Sequence, residues 1–159
     1  MTDAFRHRTT LQVRFADTDA FGHVNNAVFA TYAELARIRY LLDVLRAGAS
    51  FDELPLILAR LAIDFRSPIL FDQEVVVASR VEHIGRSSFA MRHEMTAGPD
   101  GRVVAEVDSV LVAYDYASAR PMPVPDPWRT RIGEHEGRSF ARDSDSDTDA
   151  PRPRAAAAT

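Results

Sequence analysis

The chain has 159 residues and a net charge of −4, which favours one domain and argues against a nucleic-acid-binding protein. It is 46% hydrophobic and lacks cysteine, which excludes a wholly disordered chain, a disulfide scaffold, a thiolate metal site and a cysteine nucleophile. No apolar run is long enough for a transmembrane helix, and residues 1–8 lack a signal-peptide core, so a cytoplasmic protein with no membrane partner is expected.

The N-terminal third predicts a strand, a polar loop and a long helix. Alternating polar and apolar residues indicate a strand over residues 10–15, and a loop rich in Asp, Asn and Gly follows over residues 16–26. Asn25 or Asn26 is suited to cap a helix that runs to residue 46. The apolar stripe of this helix comprises Phe29, Ala33, Ala36, Tyr40 and Val44. The polar residues Glu34, Arg37, Asp43 and Arg46 fall outside the stripe, and Gly48 follows the last turn.

The rest of the chain predicts mainly strands. Further strands are predicted over residues 61–66, 74–83, 89–95 and 103–114, with a short helix over 126–132. Residues 103–114 are apolar on both alternating faces, which is typical of a strand covered on both sides. The order indicates an α+β fold with one long helix against an antiparallel sheet of about five strands.

Composition changes sharply after residue 134. The segment that follows is rich in Asp, Ser, Pro, Arg and Ala, and Phe140 is its one large apolar residue. Such a segment buries too little surface to offset the entropy lost on ordering. The sequence therefore predicts a domain over residues 8–135 and a disordered tail over residues 136–159.

The densest polar cluster precedes the helix and comprises Asp17, Asp19, His23, Asn25 and Asn26. A calcium loop does not fit, because its fifth and twelfth positions are Phe21 and Val28, and the spacing matches no transition-metal signature. A carboxylate before a helix start can act as a base or nucleophile beside free backbone N–H groups that polarise a carbonyl. The alternative is that the aspartates only form turns and Asn25 only caps the helix.

Residues 14–26, which contain Asp17-Thr18-Asp19, Gly22-His23 and Asn25-Asn26, resemble the signature segment of hotdog-fold acyl-CoA thioesterases of the 4-hydroxybenzoyl-CoA thioesterase type. The resemblance continues at residues 84–89 and 120–125 and covers about residues 8–133. It implies a hotdog fold, in which an antiparallel sheet wraps a long helix, and an acyl-CoA thioester as the substrate.

The resemblance also implies roles for the loop residues. Asp19, the second aspartate of the motif, corresponds to the catalytic carboxylate, acting as a nucleophile through a mixed anhydride or as a general base for water. The oxyanion donor corresponds to a backbone N–H near Asn26. His23 and Asn25 match the glycine-histidine-asparagine variant of the motif, so we expect His23 to position water or the carbonyl and Asn25 to contact the substrate. No metal or other cofactor is implied.

Three further residues, Arg86, Ser87 and Ser88, match the family's turn between the two middle strands. The resemblance implies that this turn meets the nucleotide end of coenzyme A, and the alternative is a solvated charged turn.

A homodimer or homotetramer is expected, because one helix covers only one face of the sheet and the family pairs its sheets edge to edge. Two other functions stay open: a catalytically silent acyl-CoA or acyl-carrier-protein binding module, and a hotdog enoyl-CoA hydratase. The hydratase fits less well because three residues separate Asp19 from His23, where hydratases usually have four.

Overall fold

An antiparallel sheet with one long helix across it forms the body of the protein. The computed structural model describes residues 5–45 and 54–140, so the predicted helix end at Arg46 and Gly48 and the tail from residue 141 lie outside the described residues. The elements in chain order are β1 (His7–Gln12), a 3₁₀ turn (Phe15–Asp17), α1 (Asn26–Leu45), β2 (Leu56–Phe65), β3 (Glu74–Ile84), β4 (Ser88–Ala97), β5 (Arg102–Asp115), β6 (Arg120–Pro121) and α2 (Asp126–Glu136). The strand order is β1-β3-β4-β5-β2, with the two-residue β6 against β5, which confirms the predicted α+β arrangement.

Several strand boundaries differ from the prediction, and two of the differences have a visible cause. Strand β1 ends at Gln12 instead of residue 15, because Arg14 turns back to bind Asp17 and the chain forms a 3₁₀ turn there. Strand β2 begins five residues before the predicted start, and its pairing with β5 shifts between Leu58 and Arg60. That irregularity breaks the alternation on which a sequence-based strand boundary depends.

Helix α1 packs its predicted stripe against the sheet. All five stripe residues are buried, and they divide between two apolar clusters, one around Phe29 and Ala33 and one around Tyr40 and Val44. Arg37 departs from the prediction, because its side chain is also buried although it lies beside the stripe. None of the helices in the described ranges is long and apolar enough to cross a membrane.

A row of polar side chains crosses the inner face of the sheet between the two apolar clusters. His7, Ser79 and His93 are cross-strand neighbours on β1, β3 and β4, and Ser109 follows on β5. His93 Nδ1 lies 2.8 Å from Ser79 Oγ, and its Nε2 lies 3.4 Å from Ser109 Oγ. Burial lowers the pKa of His93 to about 3, and the positive charges of Arg37 and His7 act in the same direction. His93 is therefore neutral in the folded protein.

The opposite face of the sheet is polar at its centre. Glu106 accepts hydrogen bonds from Arg66 and Arg92, and both arginines lower the pKa of its carboxyl. Toward the end of β5, Val110 and Val112 are only half-buried. The expectation that β5 is covered on both faces is therefore not met by residues 5–45 and 54–140.

The C-terminal helix α2 is fastened to the body through residues at and beyond the predicted domain end. The Glu136 carboxylate accepts hydrogen bonds from the Tyr40 hydroxyl and the Val81 N–H. After α2, Arg138 donates to the carbonyl oxygens of Val81 and Glu82, and Phe140 packs against the Tyr40 cluster. The packed chain thus continues to Phe140, five residues past the predicted boundary.

Because His93 is buried in its neutral form, the folded protein should lose stability at acid pH. Unfolded His93 takes up a proton below its ordinary pKa near 6.5, whereas the folded residue does not until about pH 3. Between these values the free energy of unfolding should fall by up to about 1.4 kcal/mol per pH unit from this residue alone. Urea unfolding of wild type and His93→Gln from pH 7 to pH 4 should show a steeper loss for wild type. Replacement of the exposed His83 by Gln is the control, and equal slopes for wild type and His93→Gln would contradict this role.

Candidate active site

The loop between β1 and α1 folds back on itself around Asp19. Thr18 and Val24 pair as an antiparallel bridge, the Asp19 N–H donates to the His23 carbonyl at 2.8 Å, and the Gly22 N–H donates to the Asp19 carbonyl at 3.1 Å. Gly22 has φ +77°, a left-handed conformation that favours glycine. The turn therefore brings the backbones of Asp19 and His23 together at the surface.

One oxygen of the Asp19 carboxylate is held and the other is free. Oδ1 accepts hydrogen bonds from the N–H groups of Phe21 at 2.9 Å and His23 at 3.3 Å. No hydrogen bond within residues 5–45 and 54–140 involves Oδ2, and the residue is only half-buried. The carboxylate is thus oriented by its own loop while one oxygen stays available for a substrate or a water molecule.

The start of α1 lies directly beyond this turn. Asn25 Oδ1 accepts the Ala27 N–H at 2.9 Å, which confirms Asn25 as the capping residue. The Asn26 N–H, the first of the helix, has no hydrogen-bond partner in the described chain, and the residue is exposed. A free N–H at the positive end of a 20-residue helix is suited to bind an oxyanion.

Asp17, in contrast, is a buried structural carboxylate. It accepts hydrogen bonds from the Arg14 N–H and guanidinium and, at 2.9 Å, from the Tyr32 hydroxyl on α1. The Arg14 side chain is the main cause of the lowered pKa of Asp17, and burial together with Asp17 raises the pKa of Tyr32. The Asp17 carbonyl also accepts the Asn25 N–H at 2.8 Å, so this residue joins the end of β1 to the start of α1.

The loop between β2 and β3 forms the second wall of the site, which the sequence did not reveal. His23 pairs with Leu70 as a backbone bridge, and the Val24 N–H donates to the carbonyl of the fully buried Ile69 at 2.8 Å. The only local signal for a contact across this distance in sequence is the apolar run Ile69-Leu70-Phe71 after Pro68, which is also compatible with a plain turn.

The structure places Arg86, Ser87 and Ser88 at the other end of the sheet. Strand β1 pairs its last residue with Glu74 at the start of β3, so the Asp19 loop follows that end, whereas Arg86 follows Ile84 at the far end. At about 3.3 Å per residue, β3 separates the two regions by roughly 30 Å. Within one chain these residues are not part of the Asp19 site.

Residues 5–45 and 54–140 contain no group of three or more His, Cys, Asp or Glu side chains placed to bind a metal ion. His23 is exposed at the edge of the loop. Independence from metal stays a prediction to be tested by assay.

Comparisons with known proteins identify the family. Residues 13–132 match the model of the thioesterase-like superfamily, and the chain belongs to that superfamily. It has the hotdog fold and is a thioester hydrolase, as predicted.

Three relatives illustrate this membership. A thioesterase from Thermus thermophilus, solved with coenzyme A and Zn, is 42% identical with a TM-score of 0.78, over 86% of this chain and 98% of that one. The acyl-acyl carrier protein thioesterase ATL3 of Arabidopsis thaliana is 28% identical over 79% of this chain and 67% of its own length. The long-chain acyl-CoA thioesterase FadM of Escherichia coli is 23% identical over 79% and 96% respectively.

The contrast between the two aspartates predicts a separation of stability from activity. Asp17→Asn removes the charge that pairs with Arg14 and should lower the free energy of unfolding by about 2 kcal/mol. Asp19→Asn keeps both backbone hydrogen bonds through Oδ1 and should leave stability within about 0.5 kcal/mol of wild type. Urea denaturation at pH 7 measures both.

The contribution of Asp17 to the free energy of unfolding should decrease at acid pH. Because the pKa of Asp17 is lowered in the fold, its contribution is present at neutral pH and is lost as the pH falls below the ordinary aspartate pKa toward the folded value. A stability difference between wild type and Asp17→Asn that persists unchanged below pH 3 would contradict this assignment.

Proposed function

We propose that this protein hydrolyses an acyl-CoA thioester to the free acid and coenzyme A, as a cytoplasmic enzyme of the 4-hydroxybenzoyl-CoA thioesterase type. Asp19 is the catalytic carboxylate, the Asn26 N–H stabilises the oxyanion, and no metal or other cofactor takes part. One observation carries the proposal: Asp19 presents a free carboxylate oxygen on a turn that leads directly into the uncapped first N–H of α1. The family membership and the acyl-CoA activity in the name of FadM support it.

The reaction begins when the thioester carbonyl oxygen accepts the Asn26 N–H. The helix dipole and this donor stabilise the negative charge that develops on that oxygen in the tetrahedral intermediate. If Asp19 is the nucleophile, Oδ2 bonds to the carbonyl carbon, the C–S bond breaks, coenzyme A leaves as the thiolate, and water then hydrolyses the mixed anhydride. If Asp19 is the base, Oδ2 accepts a proton from the water that attacks the carbon, and the tetrahedral intermediate then breaks its C–S bond and releases coenzyme A as the thiolate.

Two neighbouring side chains assist in this proposal. His23 is exposed beside Asp19 and positions the attacking water or the carbonyl, and Asn25 contacts the substrate next to the helix start. Label that enters the Asp19 carboxylate during a single turnover in ¹⁸O water identifies the nucleophilic route, because only a mixed anhydride attacked at its Asp19 carbon can transfer the isotope to the enzyme.

Asp19→Asn should lower kcat on the order of 10³-fold or more, because the amide is neither a nucleophile nor a base. Release of free thiol from a panel of acyl-CoAs measures the change. Asp72→Asn, on the neighbouring exposed loop, is the matched control and should keep wild-type turnover. Near-normal turnover by folded Asp19→Asn would refute the proposal, and activity that is lost in chelator and restored by zinc would refute the metal-free mechanism.

A second subunit completes the site in this proposal. Strand β2 is an edge strand of ten residues whose outer side is unpaired in the described chain. It exposes Leu58 and Phe65, at 43% and 48% of their surface. A long apolar edge of this kind associates readily with another strand, and a two-fold axis pairs it with its own copy.

Such pairing explains the distant position of the turn at Arg86. Two copies of β2 joined by a two-fold axis run antiparallel, so the Asp19 end of one sheet lies beside the Arg86 end of its partner. The turn with Arg86, Ser87 and Ser88 of one subunit then faces the nucleotide of coenzyme A bound at Asp19 of the other. The active species is accordingly a homodimer or a pair of such dimers.

Mixed dimers test this arrangement. Asp19→Asn and Arg86→Glu subunits should each be impaired alone, but a heterodimer should contain one site with both native residues and should regain up to about half the wild-type kcat/KM. Controls are each variant mixed with itself. No recovery in confirmed heterodimers, or a fully active species with the mass of one 17.7 kDa chain, would contradict the proposal.

A further inference from the structure

Four large apolar side chains are exposed beside the Asp19 turn. Phe15, Phe21, Leu70 and Phe71 expose 80%, 83%, 45% and 52% of their surface respectively. They come from the two loops that close this end of the sheet, and we call them the apolar rim. Exposed aromatic side chains that cluster in this way mark a contact surface on a soluble protein.

Two members of the rim are tied to the site through their backbones, and the other two contact each other. The Phe21 N–H donates to Asp19 Oδ1 at 2.9 Å, and Leu70 is bridged to His23 through the backbone. Phe15 meets Phe71 edge to face with ring centroids 5.9 Å apart. The rim therefore begins beside the turn that holds Asp19 and includes residues of both loops.

The loop that carries Leu70 and Phe71 is held in place from beneath. The Arg102 side chain donates to Ser67 Oγ at 3.1 Å, to the Pro68 carbonyl at 2.9 Å and to Gln73 Oε1 at 3.2 Å. Gln73 Oε1 also accepts the Leu70 N–H at 3.1 Å, and Ile69 is fully buried. The exposed rings thus stand on a fixed support, which is the arrangement expected of a binding surface that is already formed before its ligand arrives.

We infer that the apolar rim binds the acyl chain of the substrate and gives the enzyme a preference for thioesters with long apolar acyl groups. This inference rests on the proposed thioesterase function. The acyl chain begins at the carbonyl that Asp19 attacks, so it must leave the site within a few bonds of Phe21 and Leu70. The other arm of the substrate carries amides and phosphates, which need polar partners that the rim side chains lack.

Burial of acyl methylene groups on the rim should favour substrates with longer acyl chains. Each methylene group that leaves water contributes about 0.8 kcal/mol, which corresponds to nearly fourfold in affinity. Short or polar acyl groups do not reach across the rim and gain little from it. The expected signature is a kcat/KM that rises from butanoyl-CoA to dodecanoyl-CoA.

The test compares the dodecanoyl to butanoyl ratio of kcat/KM among variants. Phe15→Ser and Phe71→Ser should each lower this ratio about tenfold, because each removes one apolar ring from the path of the chain. Leu35→Ser, at an exposed apolar position on the outer side of α1, is the control and should keep the wild-type ratio. The same series with acyl-pantetheine, which lacks the nucleotide, should show the same tenfold loss if the acyl chain is the ligand.

Each contrary outcome has a distinct meaning. Wild-type hydrolysis without a chain-length preference, or a ratio unchanged by both substitutions, would overturn this inference and leave the proposed function intact. Equal losses of kcat/KM with dodecanoyl-CoA and butanoyl-CoA, together with a smaller sedimenting species, would overturn it as well and would show that the rim is a contact between copies of the chain. No hydrolysis of any thioester by wild type would refute the proposed function itself.

Discussion

The buried carboxylate of Asp17 holds the catalytic end of the molecule together. It receives the guanidinium and N–H of Arg14 at the end of β1, the hydroxyl of Tyr32 on α1, and through its own carbonyl the N–H of Asn25. A carboxylate that is buried in this way is stable only with such partners, because leaving a buried charge unpaired costs several kcal/mol. The strand, the turn and the helix are therefore positioned by one residue.

This arrangement divides two adjacent aspartates between support and chemistry. Asp17 has its lone pairs occupied and is enclosed, while Asp19, two residues on, keeps one oxygen free at the surface. A reactive carboxylate needs an oxygen that has no hydrogen-bond partner and is accessible to solvent. A buried structural carboxylate is destabilised by such an oxygen. The backbone turn closed by Thr18 and Val24 makes both states possible within a few residues of chain.

The sequence predicted those features that depend on local spacing. The apolar stripe of α1, the cap at Asn25 and the polar turn around Asp19 were visible because the residues that define each pattern lie within four positions of one another. The role of Tyr32 and the wall formed by Leu70 were not, since they depend on contacts between residues far apart in the chain. The burial of Arg37 was missed for the same reason, because it depends on how α1 lies on the sheet and not on the local spacing of residues.

The polar row beneath α1 has a further consequence for the core of the protein. Arg37 is buried near this row, where its charge adds to the effect of burial in lowering the pKa of His93, and its Nη1 has no hydrogen-bond partner within the described residues. A buried guanidinium nitrogen without a partner costs free energy, so the band between the two apolar clusters opposes folding locally. The two clusters, which between them contain the whole apolar stripe of α1, therefore supply the free energy that keeps this band closed.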